Sequence, residues 1–204
     1  MRLNQHRLIL ALSLWSLLCL GPSARAGGNI SPFGYLVNDG DVTLAVDTQA
    51  ARHHGNDKFI PLVFWLGCWA PKALNINRGS FTLTDPEGRS FPVATLAEIQ
   101  DKKAYGLFKV ADDYSFVRNT ADFQQIRLNF NGLWLEPDTC FFVNIGRGGP
   151  SLIRDDIQLR PNGYTLALLY FPNPSVGAAG PYTLTFTDAR NGISLSVPFT
   201  IDWK

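Results

Sequence analysis

Tyr182-Thr-Leu-Thr-Phe-Thr-Asp-Ala-Arg-Asn-Gly-Ile-Ser-Leu-Ser-Val-Pro-Phe-Thr-Ile201 reads as two strands joined by a turn. Tyr182, Leu184 and Phe186 interleave with threonines, and Ile193, Leu195, Val197, Phe199 and Ile201 alternate with serine and threonine until Pro198. A period of two sends successive side chains to opposite faces, so each strand has one apolar and one solvated face. Asn191-Gly192 is a turn dipeptide, because both residues accept the positive φ that tight hairpins require. Pro198 falls on the polar phase. Its missing N–H can then face solvent, which predicts an edge strand.

The same alternation recurs upstream. Ser80-Phe-Thr-Leu-Thr84 leads into Asp85-Pro86-Glu87-Gly88, a type I turn with proline at its second position, and Ser90-Phe-Pro-Val93 returns. Asp41 to Thr48 alternates through Val42, Leu44 and Val46. Phe59-Ile-Pro-Leu-Val-Phe-Trp-Leu66 is almost unbroken apolar, as expected of a strand buried on both faces. Thr139–Ile145 and Thr165–Phe171 are predicted strands, as is the segment from Gln125. Thr95-Leu-Ala-Glu98 has the spacing of a capping box, in which Thr and Glu side chains satisfy each other's backbone N–H groups. It predicts a short helix ending near Lys103, before Gly106. Many short strands and one or two helical turns define an all-β class, an antiparallel β-sandwich.

The buried strand followed by Ser80–Gly88 and Phe91-Pro-Val93 resembles immunoglobulin-like β-sandwich domains of uncharacterised exported bacterial proteins. The Tyr182–Phe186 and Val197–Ile201 hairpin is similar to the last two strands of such modules. The resemblance implies an immunoglobulin-like fold and no activity. It departs from the antibody pattern, since no Trp follows the first Cys by about a dozen residues; Trp65 and Trp69 flank Cys68 instead.

The N-terminus supplies a compartment. Arg2 and Arg7 precede the apolar run Leu8–Leu20, Gly21-Pro22 breaks it, and Ala24-Arg25-Ala26 follows. These are the basic, apolar and small-residue parts of a secretory signal peptide, and the run is short of the roughly 20 residues a membrane span needs. Cleavage is expected after Ala26, leaving 27–204 as a single exported domain, periplasmic or extracellular, with no membrane anchor. The chain has 18 Lys and Arg against 17 Asp and Glu, with three of the basic residues in the leader, so the mature surface is close to neutral. No basic stripe runs along it, which argues against nucleic acid as a partner. The mature chain keeps Cys68 and Cys140. In an oxidising compartment pairing is the expectation, and closing a loop of about 70 residues stabilises by roughly 4 kcal/mol. Two buried thiols packed as small hydrophobes are the alternative.

Chemistry-bearing motifs are sparse. His53 and His54 are adjacent, with Asp57 three residues on, in a loop expected to be solvated. Imidazoles and a carboxylate can ligate zinc or copper, but nothing marks a further ligand. No Gly-x-Ser-x-Gly elbow occurs. Asp112-Asp113 and Asp155-Asp156 are adjacent acids in polar stretches, and neighbours on a strand diverge, so neither pair alone makes a catalytic dyad. Gly146-Arg-Gly-Gly149 lacks the Lys-Ser/Thr of a phosphate loop and runs into Pro150. Most aromatics, Trp65, Tyr164, Tyr170 and Phe171 among them, fall on inward phases. Trp69 and Trp134, near prolines at strand ends, are the expected exposed anchors for a partner. The leading reading is a non-catalytic binding or structural module of the cell envelope or secreted fraction, without a cofactor, meeting an envelope protein or glycan. The alternatives are an envelope polysaccharide or peptide hydrolase with dispersed carboxylates, or metal binding through His53 and His54.

Overall fold

The computed structural model describes residues 25–101, 103, 105–106, 109–113, 143–144, 151–152, 156–173 and 176–204. The strands in chain order are β1 (Arg25–Asn29), β2 (Gly34–Asn38), β3 (Val42–Asp47), β4 (Phe59–Cys68), β5 (Leu74–Asn77), β6 (Phe81–Thr84), β7 (Ser90–Pro92), β8 (Val143–Asn144), β9 (Ser151–Leu152), β10 (Asp156–Leu159), β11 (Tyr164–Pro172), β12 (Pro181–Asp188) and β13 (Ile193–Thr200). Among the described residues, the helix α1 (Leu96–Gln100), a helical turn at 109–113 and 3-10 turns at Ala51–His53 and Arg78–Ser80 accompany them. The predicted strand from Gln125 lies outside the described residues, as does most of Thr139–Ile145.

Two antiparallel sheets face each other. The first has the order β1-β2-β3-β4-β11, a four-strand meander completed by a late strand. The second has the order β13-β12-β6-β7. The quoted C-terminal stretch forms β12 and β13, paired from Pro181↔Thr200 to Asp188↔Ile193. Pro198 sits on the exposed phase of β13, which is an edge strand. Burying the apolar phase of that hairpin is what brings the second sheet onto the first: Tyr182, Leu184, Phe186, Leu195, Val197 and Phe199 share one cluster with Leu44, Leu62, Phe64 and Leu66. Phe64 packs against Phe81 in a tilted pair with 4.5 Å between ring centroids, and Phe81 against Phe186 at 5.4 Å. β5 and β10 pair as a separate ribbon, and their Leu74, Ile76, Ile157 and Leu159 extend the same cluster.

β4 is buried along its whole length, as its apolar run requires. Ile60, Leu62, Phe64, Leu66 and Cys68 point to the second sheet. Phe59, Val63 and Trp65 point the other way, into a second cluster with Ala45, Tyr164, Leu168 and Tyr170. That outer face is covered by the chain after β7, through Ala94, Ile99 and Val110, with Leu96 and Tyr105 packed on the rim. The cover starts on the edge of the sheet, where the Ala94 N–H donates to the Tyr170 carbonyl at 2.7 Å. The architecture is therefore sheet, sheet and a thin cover, all-β and sandwich-like.

Local signals position the cover. Thr95 Oγ1 accepts from the Glu98 N–H at 3.3 Å, and Glu98 Oε2 accepts from the Thr95 N–H at 2.7 Å, a complete capping box. The helix stops at Gln100, short of the expected Lys103. Asp101 is extended, and Gly106, at φ +88°, folds back so that its N–H meets the Ile99 carbonyl at 3.1 Å. That conformation suits glycine, whose missing side chain removes the clash of positive φ. The Asp85–Gly88 turn closes with the Gly88 N–H on the Asp85 carbonyl at 2.9 Å.

Candidate functional site

The loop joining β3 to β4 carries Arg52, His53, His54 and Asp57 in a short 3-10 turn (Ala51–His53) and the bends after it. The turn divides the two histidines. His53 is exposed, whereas His54 is 8% exposed and turned under the cover. The loop is held from two sides, by the end of β11 and by the C-terminal tail. Asn173, at the end of β11, gives its amide NH2 to the carbonyls of His54, Gly55 and Asp57 at 3.4, 3.0 and 3.0 Å. Arg52 reaches the C-terminal tail, with Nε on the Asp202 carbonyl at 2.9 Å and Nη2 on its carboxylate at 2.5 Å. The Lys204 N–H donates to the Arg52 carbonyl at 2.9 Å.

Both nitrogens of His54 meet carboxylates. Nδ1 is 2.6 Å from Asp57 Oδ2 and Nε2 is 2.9 Å from Asp113 Oδ1. Asp113, 5% exposed, is the hub of the cluster: its Oδ2 accepts the Tyr105 hydroxyl at 2.6 Å and the Tyr170 hydroxyl at 3.0 Å. The Tyr105 oxygen is also 3.1 Å from His54 Nδ1, and Lys109 Nζ pairs with Asp57 Oδ2. The Lys109 ammonium also sits 5.0 Å over the Tyr105 ring. One loop, the cover and β11 thus share a single polar network on the outer face of the first sheet.

Electrostatics follow from this geometry. Burial alone would lower the pKa of His54, but the hydrogen bonds and charges of Asp113 and Asp57 outweigh it and raise the pKa above the ordinary value. Burial would raise Asp57, yet Lys109 and His54 hold it below the usual carboxylate range. Desolvation, then the Asp113 charge, pushes both tyrosines up, so they stay protonated as donors. His53 goes the other way from its neighbour. Desolvation and the positive charges of Lys204 and Arg52 lower it.

The cluster was only partly legible in the sequence. The solvated loop expected for His53, His54 and Asp57 holds for His53 and not for His54, because the Asn173 clamp turns that ring inward. Asp112-Asp113 is likewise split: Asp112 is exposed and Asp113 buried, on a helical turn rather than in a solvated loop. Tyr105 and Lys109 carried no expectation at all, and Tyr170 was assigned to the core, where its ring does lie. The usable signal was Lys109 and Asp113 four residues apart, one face of a helix, together with His54 and Asp57 at a spacing of three. As for metal, the nitrogens of His54 are committed to carboxylates, and no group of three His, Cys, Asp or Glu side chains poised for an ion occurs among the described residues.

The other predicted positions separate. Trp69 is half-buried at the end of β4, with its indole N–H on Thr43 Oγ1 at 3.2 Å and its ring against the outer cluster, so it is less exposed than expected. Its place after the last β4 residue lays the ring along the sheet rather than into solvent. Cys68 is buried at the end of β4, with Sγ 3.5 Å from the Lys72 carbonyl, and burial raises the pKa of its thiol form. Trp134, Cys140, Asp155 and Gly146–Gly149 lie outside the described residues; Asp156 is exposed on β10.

A second feature lies at the edge of the sandwich, between the two sheets. The edge strands β1 and β13 border a groove of about 270 Å³ lined by Gly27, Gly28, Tyr35, Pro198, Phe199 and Thr200 among others. Among the described residues its lining contains no Asp, Glu, His, Lys, Arg or Cys. Tyr35 closes its floor, with its hydroxyl 2.9 Å from Thr200 Oγ1 and its ring 6.1 Å from that of Phe199. Among the described residues no helix is long and apolar enough to cross a membrane. Comparison with protein-family models, with curated proteins and with solved structures finds no match for this chain.

Proposed function

We propose that this protein is an exported, non-catalytic β-sandwich module that holds an envelope protein or glycan at the groove between β1 and β13. The observation that carries the reading is a division of chemistry. The ionisable side chains of the His54 cluster satisfy one another inside the molecule, while the groove offers backbone edges, a tyrosine and apolar surface without an acidic, basic or thiol side chain among its described residues. Edge strands bordering an apolar floor suit capture of an extended chain by strand addition, or stacking of a sugar on an aromatic ring. Trp69 is the poorer candidate, since its N–H is already engaged within the fold.

The leader of residues 1–26, the immunoglobulin-like relation and the Cys68–Cys140 crosslink belong to the same reading. The relation is supported by the β6–β7 and β12–β13 hairpins, which form where the resemblance lies. A chain starting at Gly27 would keep the Gly28↔Leu36 and Asn29↔Tyr35 pairs of β1. Intact mass of the exported protein should give Gly27 as the first residue, and thiol labelling of the unfolded, unreduced chain should give no signal. A photo-crosslinker at exposed Thr200 should form adducts in the envelope that one at Arg190, on the distant β12–β13 turn, does not. Equal labelling from both positions, or turnover of an envelope polymer by the purified protein, would overturn the proposal.

A further inference from the structure

We propose that the His54 cluster is a pH-operated latch, which holds the cover on the outer face of the first sheet while His54 carries a proton and loosens it when the proton leaves to solvent. In the held state the charges balance. His54 and Lys109 supply two positive charges, and Asp57 and Asp113 supply two negative ones, within hydrogen-bond reach. The imidazolium donates from both nitrogens, so each carboxylate is met.

Neutral His54 has one N–H and one lone pair. Whichever tautomer forms, one ring nitrogen then presents its lone pair to a carboxylate oxygen at 2.6 or 2.9 Å, and two carboxylates share one ammonium. Retaining the Nε2–H keeps the bond to Asp113 and sets Nδ1 against Asp57. Tyr105 can turn its O–H toward Nδ1 across 3.1 Å, but Asp113 then loses that donor. Retaining the Nδ1–H breaks the Nε2–Asp113 tie between loop and cover and leaves the Lys109–Asp57 pair. Every arrangement with neutral His54 therefore loses at least one hydrogen bond of the held state.

The groups facing His54 come from each element packed around it: Asp57 from its own loop, Tyr105, Lys109 and Asp113 from the cover, and Tyr170 from β11. Phe59 of β4 faces Tyr105 with an apolar ring at 5.9 Å. Arg52, His53 and Lys204 lie on the solvent side of the loop, where the cations act on His53. Both tyrosines stay protonated through the range in which His54 titrates, because burial and Asp113 raise them.

Among its described residues, the part of the cover between α1 and the helical turn at 109–113 is tied by isolated backbone bonds. The Tyr105 N–H meets the Asp101 carbonyl at 2.9 Å and the Val110 N–H meets that of Gly106 at 3.3 Å. Such a segment opens locally without unfolding the sheets. Loosening it uncovers Phe59, Val63, Trp65, Leu168 and Tyr170, an apolar sheet face.

Hydrogen exchange of the full chain from about pH 5.5 to about pH 9, corrected for the chemical rate, tests this alongside NMR titration of His54. Exchange across residues 96–113 should rise about tenfold through the His54 midpoint, while the β12–β13 hairpin stays within about twofold. His54→Gln should abolish the step. Asp113→Asn should lower the His54 midpoint and carry the exchange step down with it. A step of unchanged size in His54→Gln, exchange that stays flat while His54 titrates, or a step that ignores the midpoint in Asp113→Asn would each overturn the latch.

Discussion

The two faces of the first sheet are buried by different means. The inner face meets a second sheet through aromatic and aliphatic side chains, with Leu44, Leu62, Phe64, Leu66, Leu184 and Phe186 fully excluded from water. The outer face meets a thin cover, pinned by Asp113, His54 and two tyrosines as much as by Ile99 and Val110. Apolar packing is non-directional and insensitive to pH, whereas paired charges hold only while each partner keeps its protonation state. The same sheet therefore carries one face that responds to packing and another that responds to solution conditions.

The strongest way to break this contrast is Phe64→Ala on the inner face. It removes a ring packed on Phe81, and the cavity should cost about 3–5 kcal/mol at any pH between about 5 and 8, read by urea unfolding. A cost that varied with pH would merge the two faces.

Next in size is Asp113→Asn on the outer face. The amide can still accept from Tyr105 and Tyr170, so the loss centres on the charged bond to His54 and should be about 2–3 kcal/mol at acidic to neutral pH. It should shrink as pH rises through the His54 midpoint. An equal loss above that midpoint would show that the charge pair is not what Asp113 contributes.

The pH dependence has a definite sign. The His54 pKa is raised in the folded state, so its contribution is complete below about 6.5, the unfolded value, and is lost as pH rises through the folded pKa. Asp57 is lowered, so its contribution is present above about 3.9 and is lost as pH falls through the folded pKa. NMR titration should place the His54 midpoint above 6.5 and that of His53 below it, although the two are adjacent in sequence. Matching midpoints would remove the electrostatic distinction between buried and exposed imidazole.

The smallest effect sharpens the local end of the comparison. Thr95→Ala removes the side-chain half of the capping box and should cost about 1 kcal/mol, while faster exchange is confined to the cover.

Much of the sheet structure was legible because its signals are local. Alternation in Tyr182–Ile201, the Asp85–Gly88 turn, the apolar run of β4 and the Thr95 capping box each predict a conformation from residues within one turn or strand, and each forms. Pro198 even marked its strand as an edge. The cluster was illegible for the opposite reason. Tyr105 and His54 are 51 residues apart and Tyr170 and Asp113 are 57 apart, with no period linking them.

The sequence by itself determined which stretches become strands and which phase of each is apolar, since burial of one face follows from side-chain chemistry and the two-residue repeat. Tertiary structure alone decided which polar groups join the apolar ones inside. His53 and His54 are the same residue type one position apart, yet one points to water and the other into a carboxylate cage. The difference comes from the Asn173 amide clamping the loop and from Asp113 on a distant helical turn. A buried charge is tolerated only where an opposite charge is already waiting, and where that partner stands is a property of the folded chain.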